Sequence, residues 1–191
     1  GKPYVDELNF TYTPDRQAAL VQLESGAIDV LIFPPFRDAA RLQQDANYRV
    51  LSNAATSGQA QVVFMNTTLP PGDNKKVRQA VNYAIDRQRI CDTVFLKQNG
   101  EPKNLPWPAH SPAYDAAKDR HYTFDLDRAQ SLLKQAGIDS LEMDAIFRSN
   151  NEEAEPISQI MQADLARIGV KVSIKKLEPG AYLQAVRPPT Y

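Results

Sequence analysis

One cysteine, one tryptophan and two histidines are all that this 191-residue chain carries of those three residue types. The lone Cys91 excludes an internal disulfide and leaves two settings open, a reducing compartment or a disulfide-free oxidising one. There is no charge excess either. The formal net charge of −1 rules out a chain-wide field that would gather nucleic acid or an anionic membrane surface. Lys and Arg are interleaved with Asp and Glu, so no basic stripe for nucleic acid forms. No apolar run approaches the roughly 20 residues needed to span a bilayer. The glycine patterns of P-loops and dinucleotide folds are missing, as is the G-x-S-x-G nucleophile elbow. The opening Gly1-Lys2-Pro3-Tyr4 is not leader-like, and this start is given no meaning.

What is present is an ordinary globular composition, 42% hydrophobic and 24% charged, long enough for one sizeable core or two small ones. Fourteen prolines cluster at Pro34-Pro35, Pro70-Pro71, Pro102 to Pro112 and Pro188-Pro189, and these clusters punctuate the elements. Leu8, Phe10 and Tyr12 alternate as a strand over 5–12. Thr13 is placed as a helix N-cap with Pro14 at the first helical position. Ala18, Leu20, Val21 and Leu23 fill that helix, and Gly26 ends it. The apolar run Ile28 to Phe33 reads as a buried strand, which makes a βαβ unit with a right-handed crossover. A short helix is expected at 37–44, with strands near 48–51 and 61–65.

Helical spacing of Val77, Ala80, Val81 and Ala84 predicts a helix from Lys75 to about Ile85, capped by Asp73 or Asn74. Asp86 opens the next helix, with Ile90, Val94 and Phe95 inward. Residues 99–122 form a long Pro-rich loop around Trp107, and loops of that length are functional or disordered. Asp125 caps a helix bearing Ala129, Leu132, Leu133 and Ala136, closed by Gly137. Leu141, Met143, Ala145 and Phe147 alternate as a strand. An amphipathic helix over 153–168 follows, stopped by Gly169, and Val172 and Ile174 alternate in a last strand. The whole reads as α/β with a break at Ser57-Gly58.

The stretch 64–87 carries the most. Phe64-Met65-Asn66 leads into the Pro70-Pro71 turn, then Val77-Arg78-Gln79-Ala80-Val81-Asn82-Tyr83-Ala84-Ile85-Asp86-Arg87. It resembles the hinge-and-helix signature of the extracytoplasmic solute-binding proteins of ABC importers, family 5, the peptide and nickel type. ALVQLESGAIDVLI at 19–32, YTFDLDRAQSLLKQAGI at 122–138 and IMQADLARIGVKVSI at 160–174 resemble further segments of that family, in the family's order. The resemblance implies a periplasmic binding protein type 2-like fold, a mixed sheet flanked by helices. Because the family's chains are much longer, it also implies a fragment. Residues 1–58 would be the end of the first lobe, a βαβ piece, and 59–191 most of the second, lacking the return crossing.

Function follows by the same implication. A peptide or similar small solute would bind between two lobes and pass to an ABC permease of the inner membrane. No enzyme chemistry, cofactor, metal, nucleic acid or membrane span in this chain is implied, and the setting would be periplasmic or that of an extracellular lipoprotein. The alternative is the ligand-sensing domain of a transcriptional regulator with a binding-protein-like module.

Site candidates are few. Arg148 ends an alternating strand, where open α/β sheets bind ligands, and its guanidinium can grip a carboxylate bidentately. It also falls where some dipeptide-binding relatives carry a carboxylate-binding Arg. The bland reading is a solvated Arg. Trp107, Tyr114 and Asn104 lie in the Pro-rich loop, and a lone Trp there either lines a pocket or plugs the loop onto the core. Asn66 and Arg78 are assigned to the hinge as structural residues. His110 and His121 lack the third ligand of a zinc site, and Cys91 reads as a small buried hydrophobe. Glu152, Glu153 and Glu155 favour a helix N-terminus rather than acid–base chemistry.

Overall fold

The computed structural model describes residues 4–51, 61–98 and 100–187. By backbone contacts the chain divides into two units, Gly1–Leu51 and Ser52–Tyr191. The break expected at Ser57-Gly58 lies outside the described residues.

In the first unit, α1 (Arg16–Glu24) buries Ala19 and Leu20, and α2 (Phe36–Leu42) buries Ala39 and Leu42. Two polar links join these helices, Arg41 to Glu24 at 2.5 Å and Gln17 to Asp38 at 3.1 Å. The cap is a correction. Asp15, not Thr13, accepts from the Ala18 amide at 2.7 Å, while the Thr13 hydroxyl donates to Gln22. An ionised carboxylate two residues nearer the helix is the stronger acceptor. Gly26, at φ +75°, closes the helix as expected. Its amide bonds to the Leu23 carbonyl, and the Ala27 amide to the Gln22 carbonyl, the paired bonds of a Schellman turn.

The expected βαβ sheet of this unit is not formed among the described residues. Segments 5–12 and 28–33 carry no ladder, nor do 48–51 and 61–65. Leu8, Phe10, Tyr12, Val30 and Ile32 all stay exposed, Phe10 by 82%. An alternating pattern states a preference for a pleated surface, and a strand exists only where a neighbour takes its amides and carbonyls.

In the second unit α3 (Lys75–Ala84) is capped by Asn74, which accepts from the Lys76 amide at 2.9 Å. Its Val77, Ala80, Val81 and Ala84 are buried as their spacing requires, and Tyr83 joins them. It packs on α6 (Leu126–Gln135), whose cap Asp125 also donates its own amide to the Tyr83 carbonyl at 2.9 Å. Asp86 caps α4 (Arg87–Thr93), and α5 (Ala116–Asp119) interrupts the long loop. The sheet is β1 (Leu141–Arg148) paired in parallel with β2 (Val170–Leu177), in register from Leu141↔Val170 to Arg148↔Leu177. The crossover α7 (Ala154–Ala166) covers the face that carries Phe147, Val170 and Val172. The described sheet is this one parallel pair.

Besides α5, two features escaped the sequence reading. The first is α8 (Pro179–Ala185), a short helix with Pro at its start, which is the signal that could have found it. The second is a charged tie. Asp164, wholly buried on α7, meets the Arg89 guanidinium at 2.6 Å and accepts the Asp86 amide at 3.1 Å. It fastens the start of α4 to α7.

Candidate functional site

Arg148 stands at the C-terminal end of a parallel strand, on the sheet face opposite α7 by the alternation of the pleat. Its position is fixed by backbone. The Ser149 amide donates to the Leu177 carbonyl at 2.7 Å, and the Asn151 amide to the Arg148 carbonyl at 3.0 Å. The other cations of the sheet are all matched. Lys171 meets Glu142 at 2.8 Å, Lys175 meets Asp144 at 2.5 Å and Lys176 meets Glu155 at 3.2 Å. Arg148 has no carboxylate at ion-pair distance among the described residues; its guanidinium carbon lies 5.7 Å from the Tyr182 ring centroid. An exposed, unmatched guanidinium at a strand end retains its full capacity for a planar anion.

The Pro-rich loop is organised by one carboxylate. Asp119 Oδ1 accepts from the Asn104 amide at 2.8 Å and the Leu105 amide at 2.9 Å, and its Oδ2 accepts from the Tyr114 hydroxyl at 3.0 Å. Asn104 Nδ2 donates back to the Asp119 carbonyl. The structure thus brings Asn104 and Tyr114 together, but their polar groups are turned into the loop's closure. The bond to Asp119 holds the Tyr114 hydroxyl proton, pushing its pKa up. Asn104 Oδ1 is buried without a protein partner. Trp107 is 42% exposed, so it is no complete plug. Nothing in the sequence spacing pointed to Asp119 as the centre of this loop.

In the segment expected to be the hinge, Asn66 Oδ1 accepts from both the amide and the hydroxyl of Thr68 at 2.8 Å. Its carbonyl lies so near Gly72 that a Cβ there would sit 1.8 Å away. Arg78 Nη1 donates to the carbonyls of Gly72 at 2.7 Å and Asp73 at 2.9 Å. These bonds run from helix to loop and occupy the guanidinium with backbone.

The remaining candidates are mostly absorbed locally. No group of three metal-ligating side chains occurs among the described residues; His121 packs edge-on against Tyr122. Cys91 is buried, and burial pushes its thiol pKa up, away from nucleophilic chemistry. Glu155 pairs with Lys176 in the first turn of α7. No helix among the described residues is long and apolar enough to cross a membrane. An open depression of about 630 Å³ is lined by Gln162, Ala166, Gly169, Lys171 and Ser173, at the opposite end of β2 from Arg148 and holding none of the candidates.

Among the described residues, Arg148 is thus an exposed guanidinium at the end of a parallel strand with no carboxylate at ion-pair distance. The chain matches the family described as bacterial extracellular solute-binding proteins, family 5 (middle), over residues 1–190, and it belongs to that family. It is 31% identical over 191 residues to the dipeptide-binding protein of Escherichia coli K12, covering 97% of this chain and 35% of that one. It is 32% identical over 179 residues to heme-binding protein A of Haemophilus influenzae, covering 91% of this chain and 32% of that one. Among solved structures it superposes on the ABC transporter-associated periplasmic binding protein DppA of Helicobacter pylori in complex with the peptide STSA. That match has a TM-score of 0.77 at 26% identity and covers 91% of this chain and 33% of that one. The fold is that of a type 2-like periplasmic binding protein. The chain spans about a third of the length of the relatives it matches.

Proposed function

We propose that this chain is part of the substrate-binding component of an ABC importer. In this reading the complete protein takes a peptide or similar small solute between two lobes, and Arg148 receives the solute's carboxylate. The single observation that carries it is Arg148 itself, unmatched at the C-terminal end of β1 while the lysines of the sheet have their carboxylates. Support for a peptide comes from the relatives, named for dipeptides and crystallised with a peptide. The exposed Trp107 of the Asp119-closed loop offers an apolar surface for a side chain. The Asn66–Arg78 segment is the joint between lobes, with the division near 58 separating the end of the first from most of the second. Binding and closure, rather than catalysis, do the work; differential affinity for the closed form supplies the closing free energy. Delivery would be to an inner-membrane permease from the periplasm or from a lipid-anchored position outside the cell. The transcriptional-regulator reading gains no support from the relatives.

The test is a thermal-shift and calorimetric panel on the complete protein, comparing dipeptides, longer peptides, glutathione and heme. A solute that binds only the native state raises the melting temperature by linkage. Arg148→Ala should weaken the best free-acid ligand by about 2 kcal/mol or more, roughly thirty-fold. An unchanged dissociation constant removes Arg148 from the site.

A further inference from the structure

We infer that Tyr182 is a positioning residue for Arg148: its ring holds the guanidinium in the orientation that receives the solute's carboxylate. The inference rests on the carboxylate-binding role given to Arg148 above. The side chain of Arg148 has four rotatable bonds and no ion pair among the described residues to fix it, so an unaided guanidinium at a strand end would sample many orientations. The ring of Tyr182 lies 5.7 Å from the guanidinium carbon, within the range in which an aromatic face attracts a cation. It leaves the fork of N–H donors unspent, which a carboxylate partner would not.

The ring is itself held. The Ser149 amide bonds to the Leu177 carbonyl at 2.7 Å, tying the residue after Arg148 to the residue before the α8 cap. Glu178 is the N-cap and Pro179 begins the helix with its φ already set. The Tyr182 amide then bonds to the Glu178 carbonyl at 2.8 Å, so Tyr182 is fixed one turn from the strand end. α8 contacts both strands, and Tyr182 is half-buried there. Ring and guanidinium are thus carried on two ends of one hydrogen-bonded frame.

The experiment uses the complete protein and two probes: a dipeptide with a free C-terminal carboxylate and the same dipeptide as its C-terminal amide. Titration calorimetry is run on wild type, Tyr182→Phe, Tyr182→Leu, Arg148→Ala and the Tyr182→Leu/Arg148→Ala double variant. Tyr182→Met serves as a second ring-less variant should Tyr182→Leu not fold. Tyr182→Phe, which keeps the ring, should bind the free acid within about two-fold of wild type, and the ring-less variants roughly five-fold more weakly. The amide should be indifferent to all of them, and Tyr182→Leu should add nothing once Arg148 is gone. Loss of free-acid binding in Arg148→Ala with wild-type binding in the ring-less variants overturns the role of Tyr182 and leaves that of Arg148 standing. Equal weakening of acid and amide, or a loss that persists without Arg148, overturns it as well. Free-acid binding untouched by Arg148→Ala removes the carboxylate site and the inference together.

Discussion

Arg89 and Arg148 belong to the same unit, and the difference between them separates a structural charge from the one proposed to bind. Arg89 meets a carboxylate that is wholly buried, at 2.6 Å, and the second oxygen of that carboxylate takes the Asp86 amide. Its charge is spent on fastening α4 to α7. Arg148 is exposed, leans on an aromatic ring and has no carboxylate partner among the described residues. Removing a partner from the first leaves a buried group uncompensated, whereas removing the second leaves nothing unsatisfied in the protein. The contrast therefore predicts opposite readouts: stability for one arginine, affinity for the other.

The largest effect should come from Asp164→Ala. It leaves the Asp86 amide without its acceptor and the half-exposed Arg89 guanidinium with only the Ile160 carbonyl at 3.3 Å, and chemical denaturation should report a loss of about 2 kcal/mol. A loss under 1 kcal/mol would show that solvent reaches the pair and would erase the distinction drawn here. Next comes Arg148→Ala, already expected to cost about 2 kcal/mol in solute affinity. The comparison sharpens that expectation: its denaturation midpoint should stay within about 0.5 kcal/mol of wild type, as for other exposed sites.

Cys91 gives a probe of the closed region, since it lies on α4 in the same helix as Arg89. Burial raises its thiol above the ordinary value of 9.0. The folded state therefore holds the proton after the unfolded state has lost it. The stability this contributes is complete below about pH 9 and is lost as pH rises from there through the folded thiol's range. At neutral pH, thiol labelling should be slow in wild type and faster in Asp164→Ala, where the α4–α7 tie is cut. Equal labelling rates would uncouple Cys91 from the tie. The smallest effect is expected from Lys171→Ala. Its pair with Glu142 is exposed on both sides, and neither melting temperature nor solute affinity should move measurably.

What the sequence made legible was local. Asp86 and Asp125 cap the helices they were assigned to, Asn74 is the one of the pair Asp73 or Asn74 that caps α3, and Gly26, Gly137 and Gly169 take the positive φ that ends or follows a helix. The periodicity of residues 141–177 carried the whole β1–α7–β2 crossover, and with it the placement of Arg148 at a strand end. Thr13 was placed where Asp15 caps, because both are good cap types and only the backbone decides which oxygen reaches the amide. The alternation of Leu8, Phe10 and Tyr12 was real, yet a strand depends on a partner, and none is present among the described residues. Asp164 and Asp119 were illegible for a different reason. Asp164 answers Arg89 from 75 residues away, and Asp119 closes a loop upon amides fourteen and fifteen residues earlier. Spacing along a chain carries no trace of such encounters.

Asp119 has one more consequence. Secreted domains commonly shorten a long excursion with a covalent bridge; here a single carboxylate gathers the two ends of the excursion around Trp107. Closing a loop of 15 residues costs roughly 2 to 3 kcal/mol in chain entropy, and the bonds converging on Asp119 offset that cost without any sulfur chemistry. The segment is in effect a non-covalent macrocycle. A protease cut between Leu105 and Tyr114 would leave both stubs tethered to Asp119, so the nicked chain should migrate as one species until denatured.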